Sequence, residues 1–234
     1  MKFLATLRFR WQLAAALLGG LFVVIMPSVP HADPATPASA KPGVTIVAFG
    51  DSLTAGYMLQ PSESFAAQLQ MALEAKGHKV EIVNAGVSGD TTAGGLDRLA
   101  WALQPGADGV ILELGANDAL RGVEPQKTRD NLDKMLATIT GQGIPVLIAG
   151  MKAPGNWGPE YVASFDAIFP DLAAKYKSPI YPFFLDGVAL NPALVLSDGM
   201  HPTAKGVAEI VKRILPVAEA LVARATEKKA AAEN

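Results

Sequence analysis

The chain has 234 residues, no cysteine and three histidines, and its 20 basic and 22 acidic residues give a formal net charge of −2. Half of the residues are hydrophobic and 18% are charged, which supports one packed domain and excludes bulk disorder. The absence of cysteine excludes disulfides, thiolate metal centres and cysteine nucleophiles. The balanced charge provides no basic field, so we expect no nucleic-acid partner.

The N-terminal segment 1–32 has the pattern of a secretory signal peptide. Three basic residues among the first ten positions precede an uncharged apolar run over 11–26. These 16 residues are fewer than the ~20 that a membrane-spanning helix needs, which favours a cleaved signal over the alternative, an uncleaved membrane anchor. Cleavage is predicted after Ala32 or, at an Ala-x-Ala site, after Ala40. We therefore expect a periplasmic or secreted protein with no stable membrane insertion after cleavage.

Beyond a flexible Ala/Pro/Ser/Thr-rich leader over 33–42, short apolar segments alternate with amphipathic ones along the chain. The apolar segments predict five strands, at 44–50, 80–84, 110–114, 145–151 and 180–182. Apolar residues at helical spacing predict helices over 64–76, 92–103, 125–142 and 161–177, and Pro202 is expected to open a last helix. One domain is therefore predicted over 43–225, followed by a polar C-terminal tail over 226–234.

This alternation of strands and helices predicts an α/β fold with a five-stranded parallel sheet covered on both faces. Sheets of this kind bind ligands in the crevice beyond the carboxyl ends of their strands. Functional side chains are therefore expected in the segments that directly follow the strands.

Only one of the three histidines is a good candidate for a catalytic base. His31 lies in the signal or leader, and His78 lies in a charged turn between a helix and a strand. His201 follows Asp198 by three residues, a spacing at which the carboxylate can bind one ring nitrogen while the other faces a hydroxyl. The alternative is an ordinary helix-start cluster, and the spacing alone does not decide between the two.

Ser52 is the candidate nucleophile because it directly follows the first predicted strand. The Gly-x-Ser-x-Gly pattern of other serine hydrolases is not present in the sequence, and the segment around Ser88 has Asp90 in place of the last glycine. Gly89 could supply a backbone N–H, and Asn117 a side-chain amide, to an oxyanion. Taken singly, each of these two residues favours simple turn chemistry over a catalytic role.

Taken together, these residues resemble the GDSL, or SGNH, hydrolase superfamily. The four residues of the second name match Ser52, Gly89, Asn117 and His201, and Asp198 completes an Asp-x-x-His block. The resemblance runs from Val44 to the last helix. Within the superfamily, the segments 88–91, 114–118 and 181–184 are most similar to a periplasmic, multifunctional thioesterase/arylesterase/lysophospholipase group.

The resemblance implies a three-layer α/β/α, flavodoxin-like sandwich with a Ser-His-Asp triad. Ser52 would be the nucleophile, His201 the base and then the acid, and Asp198 the residue that orients His201. The N–H groups of Ser52 and Gly89 and the Asn117 amide would form the oxyanion hole. Neither a cofactor nor a metal ion is implied.

The predicted substrate-binding residues are Gly155, Trp157 and Tyr161, which follow the fourth strand. Trp157 could equally pack its loop onto the sheet. The expected function is a secreted serine esterase acting on small-molecule ester, thioester or lipid substrates, and the expected state is a monomer. The alternatives are a carbohydrate O-deacetylase or acyltransferase that uses the same site, and a non-catalytic ligand-binding domain.

Overall fold

The computed structural model describes residues 43–104 and 106–233. The signal-peptide and leader predictions therefore lie outside the described residues. Within this part of the chain, no helix combines the length and the apolar character that crossing a membrane requires.

Five parallel strands form one sheet in the order β2-β1-β3-β4-β5. The chain therefore moves from β1 to one side and then returns to the other side of β1, which makes the β1–β3 boundary the point where strand order reverses. In open α/β sheets, ligands bind beyond the carboxyl ends of the strands at this point. The strands are β1 (Val44–Gly50), β2 (Val80–Gly86), β3 (Gly109–Glu113), β4 (Val146–Ala149) and β5 (Ile180–Tyr181).

Eight α-helices accompany the strands of the described chain. They are α1 (Ser52–Ala55), α2 (Phe65–Ala75), α3 (Thr92–Ala102), α4 (Ala116–Leu120), α5 (Pro125–Gly141), α6 (Pro159–Asp166), α7 (Ile168–Tyr176) and α8 (Ala204–Glu233). Two of them, α1 and α4, are short, follow β1 and β3 directly, and are not predicted by the sequence analysis. They cover the switch point of the sheet.

The hydrophobic core lies between the sheet and its helices, as the apolar patterning predicts. Six of the seven residues of β1 are buried, because this strand is central and both of its faces are covered. Helix α2 buries Phe65, Leu69 and Leu73 at a spacing of four residues. Burying each side chain of this size contributes about 1.5–3 kcal/mol, so this packing fixes the sheet edge on which the site is built.

The structure differs from the sequence predictions around two prolines. The single helix predicted over 161–177 is two helices, since Pro170 has no N–H to donate to the Asp166 carbonyl and α6 ends there. Pro202 does not open the last helix. It pairs with Val195 in an isolated bridge, and the Thr203 hydroxyl accepts the Gly206 N–H at the start of α8.

The C-terminal segment predicted as a tail, 226–233, is part of helix α8. Lys229 Nζ lies 2.9 Å from an Asp108 carboxylate oxygen, and Lys228 Nζ donates to the Gln142 carbonyl at 3.2 Å. Since both contacts join the end of α8 to loops beside the sheet, the helix stays associated with the domain through its last turns.

Candidate active site

The turn after β1 positions Ser52 at the switch point of the sheet. Asp51 is the N-cap of α1, and its Oδ1 accepts the Leu53 N–H at 2.9 Å. Ser52 is the first residue of this helix, so its own N–H has no partner within the helix. Helix α1 ends after one turn at Gly56, which adopts a left-handed conformation with φ of 83°. The serine hydroxyl is thus held on a short, defined turn.

Ser52, His201 and Asp198 form a continuous hydrogen-bonded chain. Ser52 Oγ lies 2.9 Å from His201 Nε2, and His201 Nδ1 lies 2.6 Å from Asp198 Oδ2. With its Nδ1 protonated, the ring donates to Asp198 and accepts from Ser52. This is the relation that nucleophilic serine chemistry requires.

Asp198 is fixed by its own backbone, because its Oδ1 accepts the N–H groups of Met200 at 2.9 Å and of His201 at 3.0 Å. These two bonds, together with the His201 ring, lower the pKa of Asp198 from 3.8 to about 2. A pKa this low keeps the Asp198 carboxyl group ionised at neutral pH. The Tyr57 ring lies 4.4 Å from the His201 ring, between centroids, and supports it from the α1 side.

Asn117 enters the site from α4, directly after β3. Gly115 is the N-cap of this helix and has φ of 122°, a conformation that side chains rarely adopt. Asn117 Nδ2 donates one hydrogen bond to Asp51 Oδ2 at 3.1 Å. The amide has a second N–H that this bond leaves available.

Gly89 lies in the exposed loop after β2, with φ of 85°. Its carbonyl oxygen accepts a hydrogen bond from Arg121 at 2.9 Å. The residues that line the cavity beside Ser52 do not include Gly89. The role of its N–H in an oxyanion hole stays a prediction.

Two carboxyl groups lie buried beneath Ser52, and the sequence analysis did not identify them as site residues. Burial raises the pKa of Asp51 from 3.8 to about 6 and that of Glu113, at the end of β3, well above its usual 4.5. The signal that could have revealed Glu113 is its position as the one charged residue in an apolar strand predicted to be covered on both faces.

A cavity of about 360 Å³ opens beside Ser52, and most of its lining is apolar. Loops that follow β3, β4 and β5 contribute to its walls, together with the turn at α1. Its lining residues include Ser52, Leu53, Asn117, Ala119, Leu120, Met151, Pro154, Phe183, Leu185, Leu190, Met200 and His201. A cavity with apolar walls and a few convergent polar groups is typical of a small-molecule site.

The structure does not place Gly155, Trp157 and Tyr161 in the lining of this cavity. Trp157 Nε1 donates to the Ala119 carbonyl at 2.7 Å, and the Tyr161 hydroxyl donates to the Val123 carbonyl at 2.8 Å. Both side chains therefore fasten their segment to the one that follows β3. Their role in substrate binding stays a prediction.

Among the described residues, no group of three or more His, Cys, Asp or Glu side chains is arranged to hold a metal ion.

Comparisons with known proteins identify the family of this chain. A model of the GDSL-like lipase/acylhydrolase family matches residues 48–208. The chain is 36% identical over 179 residues to esterase TesA of Pseudomonas aeruginosa, covering 76% of this chain and 89% of that protein. It is 38% identical over 159 residues to thioesterase 1/protease 1/lysophospholipase L1 of Escherichia coli K12, covering 68% of this chain and 75% of that protein.

Among solved structures, the SGNH-hydrolase family esterase AlinE4 superposes with a TM-score of 0.65 at 47% identity, covering 76% of this chain and 96% of that chain. The predicted α/β fold and the predicted class, a hydrolase of ester bonds, are thereby confirmed. The chain belongs to the GDSL-like lipase/acylhydrolase family.

Proposed function

We propose that this protein is an exported serine esterase that cleaves carboxylic ester and thioester bonds through an acyl-enzyme intermediate. The observation that carries the proposal is the hydrogen-bonded chain from Ser52 through His201 to Asp198 at the mouth of an apolar cavity. Export rests on the pattern of residues 1–32.

In the first half of the reaction, Ser52 Oγ attacks the carbonyl carbon of the substrate while His201 Nε2 takes the hydroxyl proton. Asp198, ionised because of its lowered pKa, stabilises the imidazolium that forms. The tetrahedral intermediate then collapses, the bond to the alcohol or thiol breaks, and His201 returns its proton to that leaving group. The acyl group remains on Ser52.

In the second half, a water molecule attacks the acyl-enzyme, and His201 takes its proton. Collapse of the second intermediate releases the carboxylic acid, and the proton returns to Ser52. In both halves, negative charge develops on the carbonyl oxygen. The free second N–H of Asn117 and the N–H of Ser52 at the start of α1 are the donors that support an oxyanion hole here. Gly89 is proposed as the third donor on the strength of the family resemblance.

The cavity favours an acyl chain as the part of the substrate that binds. Its lining is mostly apolar and includes Leu53, Leu120, Phe183, Leu185 and Met200, and Lys152 is its one basic residue besides His201. Since one relative is named an esterase and another a thioesterase/lysophospholipase, we propose acyl thioesters and lysophospholipids as substrates, and aryl esters on the strength of the family resemblance. Rates on matched substrates of graded chain length would rank them.

The deciding experiment replaces Ser52 by alanine. Ser52→Ala is expected to lower kcat on p-nitrophenyl butyrate by at least about 10⁴-fold and to abolish labelling by a fluorophosphonate, because the nucleophile is lost. Ser88→Ala is the matched control, since Ser88 is an exposed serine in the loop after β2. Labelling and hydrolysis that persist in the Ser52 variant would reject the proposal and favour a binding domain or another nucleophile.

A further inference from the structure

A buried polar cluster lies next to the nucleophile and consists of Asp51 and Thr54 from the nucleophile turn and Glu113 from β3. Glu113 is fully buried at the end of β3, and its Oε2 accepts hydrogen bonds from the Thr54 hydroxyl at 2.6 Å and from the Asp51 N–H at 3.3 Å. These two donors come from residues on either side of Ser52. Glu113 therefore holds the nucleophile turn at two points.

The approach of Glu113 to this turn depends on Gly50. A side chain at position 50 would collide with the Thr54 hydroxyl and with the same Glu113 carboxylate oxygen. Gly50, the last residue of β1, therefore leaves room for the Glu113 carboxyl group to reach the turn. This fit indicates that the site is built around the Glu113 side chain.

The other oxygen of Glu113, Oε1, is buried and has no hydrogen-bond partner among the described residues. An ionised carboxylate with one unpaired, buried oxygen is far more costly than a neutral carboxylic acid in the same place. The Asp51 carboxyl, which is also fully buried, lies in the same cluster and disfavours a second negative charge. Both observations favour a protonated Glu113.

Each oxygen of Asp51 accepts a hydrogen bond, whereas both donors to Glu113 reach the same oxygen. Its two carboxylate oxygens accept the Leu53 N–H at 2.9 Å and the Asn117 amide at 3.1 Å. These bonds stabilise the ionised form, and the bond to Asn117 fixes the rotation of the amide that faces the cavity. Asp51 therefore connects the buried cluster to the oxyanion donor.

We propose that Asp51 and Glu113 form a buried carboxyl pair that holds one proton, on Glu113, and acts as a positioning device for the nucleophile turn and for the Asn117 amide. This inference rests on the proposed function, since it assigns the pair a role in serving Ser52 and Asn117. Neither acid touches the reacting atoms. The pair acts through the backbone at Ser52 and through the side chain of Asn117.

The pair also makes the site sensitive to acid. Asp51 is faced by Glu113 from β3, by His201 from the loop before α8, and by Asp90 from the loop after β2. Asp90 is itself paired with Arg98 of α3, whose guanidinium also donates to the Gly50 carbonyl. When Asp51 takes up a proton, its bond from Asn117 weakens. Part of the activity is then lost at low pH because the Asn117 amide is no longer held in place.

The first experiment measures the proton by infrared spectroscopy of the whole protein near pH 8. The wild type is expected to show the carbonyl stretch of a protonated carboxylic acid, and Glu113→Gln is expected to remove it. Tyr181→Phe is the matched control, because Tyr181 carries the other buried side-chain oxygen without a partner among the described residues, at the far edge of the sheet. A wild-type spectrum without this signal, or a signal that survives Glu113→Gln, would overturn the proposal.

The second experiment measures kinetics on p-nitrophenyl butyrate. Asp51→Asn is expected to lower kcat about 10-fold or more with KM changed less than about threefold, because transition-state donors are misplaced while the cavity is intact. Because a protonated Asp51 resembles the neutral amide of the variant, kcat/KM of the wild type is expected to approach that of the variant as the pH falls through about 6, so that the ratio of the two values shrinks from about tenfold near pH 8 toward one near pH 4. A ratio that does not change with pH would overturn the role of Asp51.

Glu113 is tested in the same assay by two replacements. Glu113→Gln keeps a neutral acceptor for the Asp51 N–H and for Thr54, so it is expected to lose only about threefold in kcat. Glu113→Leu removes the acceptor and is expected to lose more than about tenfold. If the leucine variant does not fold, the infrared spectra and the pH dependence of the Asp51→Asn variant still test the proposal. Fluorophosphonate labelling that persists while these effects are absent would reject the pair alone, whereas labelling that does not depend on Ser52 would reject the proposed function.

Discussion

The two sides of Ser52 place acidic residues in opposite surroundings. Asp198 lies in the loop before α8, with 31% of its side chain exposed, and backbone donors lower its pKa to about 2. Asp51 lies fully buried on the other side, and desolvation raises its pKa to about 6. The pKa values of two aspartates in the same site thus differ by about four, because the two side chains differ in burial and in the number of donors that face them.

This difference separates two functions of an acid in one site. On the exposed side, Asp198 supplies a negative charge to His201 from the loop before α8. On the buried side, Asp51 holds the nucleophile turn and the Asn117 amide in position, and burying its charge lowers the stability of the folded protein. Variants on the exposed side should therefore change chemistry with little gain in stability, whereas variants on the buried side should exchange activity for stability.

The largest effect is expected from Asp198→Asn. An amide at this position no longer holds the Nδ1–H tautomer of His201 or stabilises the imidazolium, so kcat/KM on p-nitrophenyl butyrate is expected to fall about 10³–10⁴-fold. The circular dichroism of the variant serves as the control for folding. A loss of less than about tenfold would mean that the exposed side does not supply the charge that the comparison assigns to it.

A smaller effect is expected from Asn117→Ala, which removes the oxyanion donor that Asp51 holds in place. Its loss is expected to reduce kcat by about 10²–10³-fold with little change in KM, because the amide binds charge that exists only in the transition state. Steady-state kinetics on p-nitrophenyl butyrate measures both constants. A change confined to KM would place Asn117 in ground-state binding instead.

The sequence predicts most of the fold because the apolar periodicity survives in the structure. The strand predicted over 44–50 is β1 without change, and the helix predicted over 125–142 differs from α5 by one residue at its end. What the pattern does not reveal are α1 and α4, which are each about one turn long. Helices of four or five residues carry too few apolar positions for a period to be recognised, and caps such as Asp51 and Gly115 define them instead.

The site residues also fall into two groups, those that a local pattern reveals and those that only the fold brings together. Elimination among three histidines leads to His201, and the spacing to Asp198 is short enough to be read directly from the chain. Asp51 and Glu113 are 62 residues apart, and only the register of β1 against β3 brings them together. The one local signal for Glu113 is that it is a charged residue in an apolar strand, and this signal indicates burial but does not show which residues the carboxyl group contacts.

A third prediction concerns stability and its dependence on pH. Because the pKa of Asp51 is raised from 3.8 to about 6, the folded protein binds more protons than the unfolded chain between these values, and stability falls as pH rises through them. A shift of about two units corresponds to about 3 kcal/mol. Asp51→Asn removes the charge and is expected to raise the free energy of unfolding by up to about 3 kcal/mol near pH 8 and by little near pH 4.

Urea unfolding at the two pH values measures this gain. Asp198→Asn is the matched control from the exposed side, and the opposite sign is expected for it, because the lowered pKa of Asp198 means that its charge stabilises the folded state once the pH is above 3.8. If both variants change stability in the same direction near pH 8, the contrast between the two sides of Ser52 does not hold.

The smallest effect is expected from Trp157→Phe. Trp157 Nε1 donates to the Ala119 carbonyl, its ring lies against Gly122, and the cavity lining does not include it. Loss of this bond is expected to cost about 1 kcal/mol of stability and to change kcat/KM less than about threefold at every acyl chain length. Trp101→Phe, on an exposed face of α3, is the control and should change neither. A loss that grows with chain length would instead place Trp157 against the substrate and extend the acyl site beyond the cavity beside Ser52.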